Sequence, residues 1–148
     1  MAKYKKLKVF CDASCIIPNA NVKGRPNFGK AAGAYLFLDE FGEIVDQGAF
    51  YLGEMSSYVA EYETLLRVMD IASAFCRDEL EVWMDAEFVI RHMNGTYGLK
   101  SQVVKPIFDK IKSIETARYK KVVYYHHSRE TRYGKMVDSL AKQEVGKY

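Results

Sequence analysis

The chain has 148 residues, of which 49% are hydrophobic and 28% charged, and this composition excludes a disordered polypeptide and a low-complexity fibre. A chain of this length builds one core rather than two, so we expect a single catalytic or binding domain over residues 1–148. The formal net charge of +3 permits a polyanionic partner but does not require one.

The location of the protein is predicted from what the sequence does not contain. No apolar run approaches the roughly 18 residues of a membrane span, and Asp12 follows the basic N-terminus too soon for a secretory signal. Cys11, Cys15 and Cys76 are an odd number without metal-ligand spacing, which is typical of reduced thiols in a cytosolic protein. We therefore expect a cytoplasmic protein that does not bind membranes.

The first third of the chain has the pattern of three strands. Residues 6–12 alternate between two faces and predict a strand that ends at or near Asp12. Residues 17–30 contain two prolines and two glycines and predict a loop. Apolar and extended residues over 31–52 surround turn residues at 39–42, which predicts a hairpin. The three strands should form an antiparallel meander.

From about residue 58 the apolar residues recur at helical spacing, with Ser56 or Ser57 as the expected N-cap. The element order βββαβααβα predicts an α/β fold with a five-stranded mixed sheet and helices on its faces. The predicted elements after the meander are a helix over 58–75, a strand over 80–84, a short helix to Asn94, a longer helix that begins or kinks at Pro106 and ends near Arg118, a strand over 121–125 and a helix over 135–145.

Two acidic residues follow strands that we expect to be neighbours. Asp12 ends the first strand and Asp85 ends the strand after the first long helix. If these strands lie parallel and adjacent, both carboxylates stand at the carboxyl edge of the sheet, where open α/β sheets bind ligands. Carboxylates this close repel each other, so a cation should lie between them. The alternative is that both are ordinary turn residues at strand ends.

Two further carboxylates extend this pattern. Glu61 lies in the first turn of the first long helix, at the edge of its buried stripe, and Asp138 opens the apolar part of the last helix. Four converging carboxylates would form an oxygen site of the kind that selects Mg²⁺ or Mn²⁺ over zinc. Two such ions can clamp the attacking and leaving oxygens of a phosphodiester. Alternatively, Glu61 is a solvated residue that the helix dipole favours.

Four segments, in the same order, resemble the type 1 ribonucleases H. Residues 59–62 read V-A-E-Y like the segment of that family, and residues 85–95 resemble its D-S-Q…Q-M-N-G segment. Residues 9–12 match the strand with the first aspartate of the family, and residues 138–141 match its closing aspartate helix. The resemblance extends over nearly the whole chain and implies a ribonuclease H-like fold.

The resemblance also implies an activity. Members of this family hydrolyse the RNA strand of RNA–DNA hybrids with two Mg²⁺ ions, which Mn²⁺ can replace, and leave 5′-phosphate and 3′-hydroxyl ends. By this likeness Asp12 would bridge both ions, Glu61 and Asp85 would hold one, and Asp138 would hold the other. The family carries a mobile histidine in the loop before the last helix, and His127 fits that position better than His126. The alternative is that both histidines end an edge strand.

The sequence departs from the family where substrate is bound. Ser57 and Tyr58 replace two asparagines that read the minor groove, and Glu87 replaces a glutamine. These changes place strand discrimination in question, because a hydroxyl lacks the paired donor and acceptor of an amide. The predicted substrate-binding residues are Ser14, Ser57, Tyr58, Glu87, Arg129 and Arg132.

Two other functions remain open at this point. The first is another nuclease on the same fold that acts on double-stranded RNA or DNA, because a fold does not determine a function. The second is a nucleic-acid-binding module without catalytic activity, against which the four retained carboxylates argue. We expect a monomer whose partner is an RNA–DNA hybrid, with double-stranded RNA as a second candidate substrate.

Overall fold

The computed structural model describes residues 2–17, 28–96, 98 and 101–148. Residues 18–27 of the predicted loop over 17–30 lie outside the described residues, and residues 28–30 belong to a strand instead, because they pair with residues 54–56. The element order βββαβααβα and the α/β class are confirmed. The elements are β1 (Tyr4–Ile16), β2 (Phe28–Leu38), β3 (Ile44–Ser56), α1 (Ser57–Ala72), β4 (Cys76–Met84), α2 (Glu87–Met93), α3 (Lys105–Arg118), β5 (Lys121–His126) and α4 (Arg132–Val145).

The five strands form one mixed sheet in the order β3-β2-β1-β4-β5. The pairs β1–β2 and β2–β3 are antiparallel, whereas β1–β4 and β4–β5 are parallel. The carboxyl ends of β1, β4 and β5 therefore meet at one edge of the sheet. This arrangement confirms the predicted meander and the predicted mixed sheet, and it brings the segments after Phe10, Met84 and His126 close together.

The first strand does not end at Asp12, as the sequence predicted, but continues to Ile16. Its parallel pairing with β4 stops at Phe10 opposite Trp83. The antiparallel pairing with β2 goes on past Asp12, which lies opposite Ala34, and so holds the chain extended. On one side, Asp12 is therefore held by its pairing with β2. On the other side, it lies beyond the last residue of β1 that pairs with β4.

Three other boundaries also differ from the predicted ones. β4 begins at Cys76 rather than at residue 80, because its first residues pair with the start of β1. α4 begins at Arg132 rather than at residue 135, because the Thr131 hydroxyl accepts a hydrogen bond from the Gly134 amide at 3.2 Å and caps the helix. α1 ends at Ala72, three residues earlier than predicted.

Local signals in the sequence were otherwise reliable. Ser56 is the N-cap of α1, and its hydroxyl accepts a hydrogen bond from the Val59 amide at 3.2 Å. The turn between β2 and β3 is closed by the Asp39 carboxylate and by Gly42, whose φ of 87° suits a residue without a side chain. Pro106 lies in the first turn of α3, as expected for a proline that starts a helix.

Helices cover both faces of the sheet. Successive β1 residues point to opposite faces, so Val9 and Cys11 pack in the core beneath α1, while Phe10 packs with Val137 of α4. Helix α1 can lie close to the sheet where it crosses Gly33, because glycine has no side chain there that would collide with Thr64. No helix among the described residues combines the length and apolar character needed to cross a bilayer.

Candidate active site

Three of the four predicted carboxylates meet at the edge of the sheet. Asp12, Glu61 and Asp85 each present an oxygen, and these oxygens lie within 4.8 Å of one another. Asp12 comes from β1 beyond its pairing with β4, Asp85 follows the end of β4, and Glu61 comes from the beginning of α1. We call these three residues the carboxylate triad. Asp12 is buried, and the other two are half-buried.

The backbone amide of Ala13 holds two members of the triad. It donates to Asp12 Oδ1 at 2.9 Å and to Glu61 Oε1 at 3.1 Å. A single N–H shared by two carboxylates cannot compensate two negative charges that have lost most of their water. The amide therefore fixes the positions of the two side chains without neutralising them.

The electrostatics of the triad favour a cation. Burial, followed by the charge of Asp85, raises the pKa of Asp12 to about 8. Burial, followed by the charges of Asp12 and Asp85, also raises the pKa of Glu61 well above its usual range. Raised pKa values mean that the protein alone stabilises the protonated form, so the triad lacks positive charge. A divalent cation bound by carboxylate oxygens would supply that charge.

Arg129 contributes a positive charge at the rim of the triad. Its Nε donates to Asp85 Oδ2 at 3.2 Å, and this contact raises the pKa of Arg129. The Arg129 side chain is 76% exposed, so water screens the pair and it adds little stability. The guanidinium is thus available to a phosphate group that enters the site.

The fourth predicted carboxylate is near the triad but not in it. Asp138 lies on α4, is half-buried, and forms an ion pair with Lys142, with Nζ and Oδ2 3.0 Å apart. Its charge nevertheless contributes to the raised pKa of Asp12, so the two carboxylates are close enough to interact. The structure therefore brings Asp138 to the side of the triad, where it pairs with a lysine.

His127 is packed into the protein rather than exposed on a loop. It is buried, its Nδ1 lies 2.7 Å from the Ser128 carbonyl oxygen, and its ring lies 5.7 Å from the Phe10 ring. Its Nε2 has no hydrogen-bond partner among the described residues. A side chain at Gly134 would collide with the His127 ring. His126 ends β5 opposite Met84 and is exposed.

A cavity of about 410 Å³ opens beside the triad. Tyr58 and Phe88 form its aromatic side, with ring centroids 4.9 Å apart and ring planes at 19°. Sequence reasoning selected Tyr58 but missed Phe88, although Phe88 comes only three positions after Asp85. The described residues that line the cavity are Ala13, Ser57, Tyr58, Glu61, Phe88 and Arg129.

The remaining predicted substrate contacts lie apart from this cavity. Ser14 continues β1 two residues beyond Asp12 and pairs with Ala32. Glu87 is exposed and binds Arg91 at 2.6 Å, which holds the pKa of Glu87 below its usual value. Arg132 begins α4 and is exposed. None of the three is among the described residues that line the cavity.

Comparisons with known proteins identify the family and the fold. Residues 19–144 match the protein family described as reverse transcriptase-like. Ribonuclease HI from Halobacterium salinarum is 29% identical over 73 residues, which are 49% of this chain and 37% of that protein. The chain therefore matches little more than a third of the length of this relative.

Two solved structures are similar over nearly their whole length. LC11-RNase H1, isolated from compost and solved in complex with an RNA/DNA hybrid, is 29% identical with a TM-score of 0.79, over 95% of this chain and 97% of that one. RNase H1 from the halophilic archaeon Halobacterium salinarum is 20% identical with a TM-score of 0.82, over 97% and 99% of the two chains. The chain belongs to the reverse transcriptase-like family, and its fold is that of the type 1 ribonucleases H.

Proposed function

We propose that this protein is a metal-dependent endonuclease that hydrolyses the RNA strand of RNA–DNA hybrids to 5′-phosphate and 3′-hydroxyl products. The carboxylate triad carries the proposal, because it lies at the carboxyl edge of the sheet with raised pKa values and a cavity beside it. LC11-RNase H1, 29% identical and similar in fold, was solved with an RNA/DNA hybrid and supports this choice of substrate.

The residues present fit divalent magnesium, with manganese as a substitute. The triad offers oxygen ligands only, closely spaced and short of positive charge, as hard cations require. We propose that Asp12, Glu61 and Asp85 hold metal and that Asp138, once released from Lys142, completes a site for a second ion. When bound, such ions polarise the phosphate and offset the charge that develops on its oxygens.

The protein itself orients the reacting groups. The Ala13 amide fixes the Asp12 and Glu61 carboxylates, and the exposed guanidinium of Arg129 can bind a phosphate oxygen at the rim. We propose that His127 assists proton transfer or product release, as the resemblance implies. Because the His127 ring is packed against Phe10, this role requires the segment after β5 to move so that the ring leaves Phe10. We also propose that residues 1–148 act as one catalytic domain.

A panel of matched duplexes tests the proposed substrate. The experiment compares kcat/KM for one sequence prepared as an RNA–DNA hybrid, as double-stranded RNA and as double-stranded DNA, each with Mg²⁺. We expect cleavage of the RNA strand of the hybrid and no cleavage of DNA, since a ribose 2′-hydroxyl is present only in RNA. Cleavage of DNA at a rate similar to that of the hybrid would contradict the proposal.

The residues before Glu61 point to double-stranded RNA as a second substrate. Ser57 and Tyr58 occupy positions where the family carries asparagines, and neither side chain combines the reach of an amide with its paired donor and acceptor. A lost hydrogen bond to substrate costs on the order of 1 kcal/mol, or roughly tenfold in rate. We therefore expect weaker discrimination between hybrid and double-stranded RNA than in a member with both asparagines.

Restoring the amides should restore the discrimination. We expect the double variant Ser57→Asn with Tyr58→Asn to raise the ratio of kcat/KM for hybrid over double-stranded RNA by roughly tenfold. Tyr125→Asn is a matched control, because Tyr125 is an exposed tyrosine on β5 away from the cavity. A ratio that stays at the wild-type value in the double variant would show that these positions do not set strand choice.

A further inference from the structure

We infer that the cavity beside the triad binds one unpaired nucleotide, whose base stacks on the ring of Tyr58. The inference rests on the proposed function, because it places this nucleotide next to the phosphate that is cut. It goes beyond that function in assigning a preference for hybrids with an unpaired nucleotide at the cleavage position.

The two rings on the aromatic side of the cavity, Tyr58 and Phe88, pack against a third ring that is buried beneath them. Tyr58 is stacked on Phe88 and meets the edge of Tyr62, with centroids 5.5 Å apart and planes at 65°. Tyr62 is fully buried and also contacts Phe88, with centroids 6.0 Å apart. We call Tyr58 and Phe88 the aromatic shelf. The buried neighbour holds the shelf in one orientation, so little side-chain entropy is lost when a ligand binds.

Part of the shelf faces solvent. Tyr58 is 37% exposed and is one of the few large hydrophobic residues of the described chain that are exposed. The Tyr58 ring lies one helical turn before Glu61, so a group stacked on it would also lie beside the triad. The shelf therefore offers an aromatic surface at the point where chemistry is proposed to occur.

The other groups around the cavity suit the polar parts of a nucleotide. The Ser57 hydroxyl can pair with a ribose hydroxyl, and the Arg129 guanidinium can bind a phosphate oxygen. The cavity volume of about 410 Å³ lies in the range of roughly 300–1,000 Å³ that is usual for small-molecule sites. An aromatic surface, a hydroxyl and a cation in one cavity of this size match a base, a sugar and a phosphate.

An unpaired base fits the shelf better than a paired one. Inside a duplex each base is covered on both faces by its neighbours, and only its edges reach the grooves. A bulged or frayed nucleotide presents its face, and aromatic side chains bind such faces with little dependence on sequence. The shelf should therefore favour hybrids in which an RNA nucleotide beside the scissile phosphate is unpaired.

Kinetics on two hybrids test this preference. One hybrid is fully paired, and the other carries a single bulged nucleotide in its RNA strand. The ratio of kcat/KM for the bulged hybrid to kcat/KM for the paired hybrid should be the same in wild type and in Tyr58→Phe, which keeps the ring. Tyr58→Leu should lower that ratio by about fivefold, on the scale of one base–aromatic stack. Tyr125→Leu is the matched control, since Tyr125 is 41% exposed and stacked on Trp83. An equal ratio in Tyr58→Leu and wild type overturns the inference.

A binding measurement separates failure of the inference from failure of the proposed function. The bulged nucleotide is replaced by 2-aminopurine, whose fluorescence falls when the base stacks, and the hybrid is titrated with protein in a metal chelator. We expect the same quenching curve with wild type, Tyr58→Phe and Tyr125→Leu, and a curve shifted to about fivefold higher protein concentration with Tyr58→Leu. Quenching by Tyr58→Leu equal to that of wild type overturns the inference even if hybrids are cut. Quenching without any cleavage in Mg²⁺ would support the nucleotide site and contradict the nuclease.

Discussion

Replacement of Asp12 by asparagine is expected to abolish cleavage of RNA–DNA hybrids while it stabilises the protein without metal. Asp12 is the buried member of the triad and contacts the shared amide of Ala13. A bound divalent ion contributes several kcal/mol to catalysis of phosphate chemistry, so loss of its central ligand should lower kcat/KM by about 10³-fold or more. Asp85→Asn should have a similar effect on the rate.

The stability effect follows from the pKa of Asp12. In the folded protein this pKa is raised from 3.8 to about 8, so folding favours the protonated carboxyl group. The stability that Asp12 contributes is complete below pH 4 and is lost as the pH rises through about 8. Asparagine does not ionise. The metal-free Asp12→Asn variant should therefore melt a few degrees above wild type at pH 8. In a domain of this size, each kcal/mol of added stability raises the melting temperature by about 2–4 °C.

Thermal melting in a chelator at pH 4 and pH 8, together with activity in Mg²⁺, checks both effects. The difference in melting temperature between variant and wild type should shrink toward pH 4. Asp109→Asn is the matched control, because Asp109 is exposed on α3 and pairs only with Lys105 among the contacts described. An Asp12→Asn variant that cleaves hybrid at the wild-type rate would remove Asp12 from the active site.

Neutralising Arg129 and Arg132 is expected to flatten the salt dependence of hybrid binding. Both arginines lie in the segment around the start of α4, and both are exposed. Each phosphate contact contributes about 0.9 to the slope of log K against log salt concentration. Arg129→Gln with Arg132→Gln should therefore reduce the slope by nearly two units and weaken binding by on the order of tenfold or more at low salt.

Fluorescence anisotropy of a labelled hybrid in a chelator, at several salt concentrations, measures this slope. The matched control is Lys120→Gln with Lys121→Gln, which removes the same charge at the start of β5, the opposite end of that strand from His126. The control should keep the wild-type slope. An unchanged slope in the arginine variant would place the phosphate contacts on another surface of the protein.

The order of elements along the chain could be predicted because it depends on local patterns, and the meeting of Asp12 with Asp85 was predicted on the condition that their strands are parallel neighbours. Alternation, turn residues and helix caps identified each element, and two parallel neighbours necessarily bring their carboxyl ends together. The end of β1 was predicted wrongly, because it depends on pairing with β2 beyond Asp12, which is a tertiary contact. No pattern within β1 itself marks the residue at which β4 stops.

The surroundings of Asp138 and His127 were harder to predict. The i,i+4 spacing of Asp138 and Lys142 is a pattern typical of a helical ion pair, but how close α4 brings Asp138 to the triad depends on the packing of α4 against the sheet. His127 sits in a polar segment, so its burial could not be read from its neighbours in the chain. It depends on Phe10 from β1 and on the absence of a side chain at Gly134.

The aromatic shelf shows a different limit of the sequence. Tyr58 and Phe88 lie 30 positions apart in the chain, and each alone reads as an ordinary residue near the start of a helix. Their stacking becomes visible only when α1 and α2 are placed on the same face of the sheet. The local signals that this part of the site differs were Ser57 and Tyr58 in place of the two asparagines of the family and Glu87 in place of its glutamine.

The central claim is that the triad uses divalent metal to cut the RNA strand of a hybrid. The most direct test incubates the wild-type protein with a fully paired hybrid, labelled within its RNA strand, in Mg²⁺ or in a chelator, and analyses the ends of the products. We expect internal cuts of the RNA strand with 5′-phosphate and 3′-hydroxyl ends in Mg²⁺, and an intact strand in the chelator. Cleavage that persists in the chelator, or an RNA strand left intact in Mg²⁺, would contradict the account.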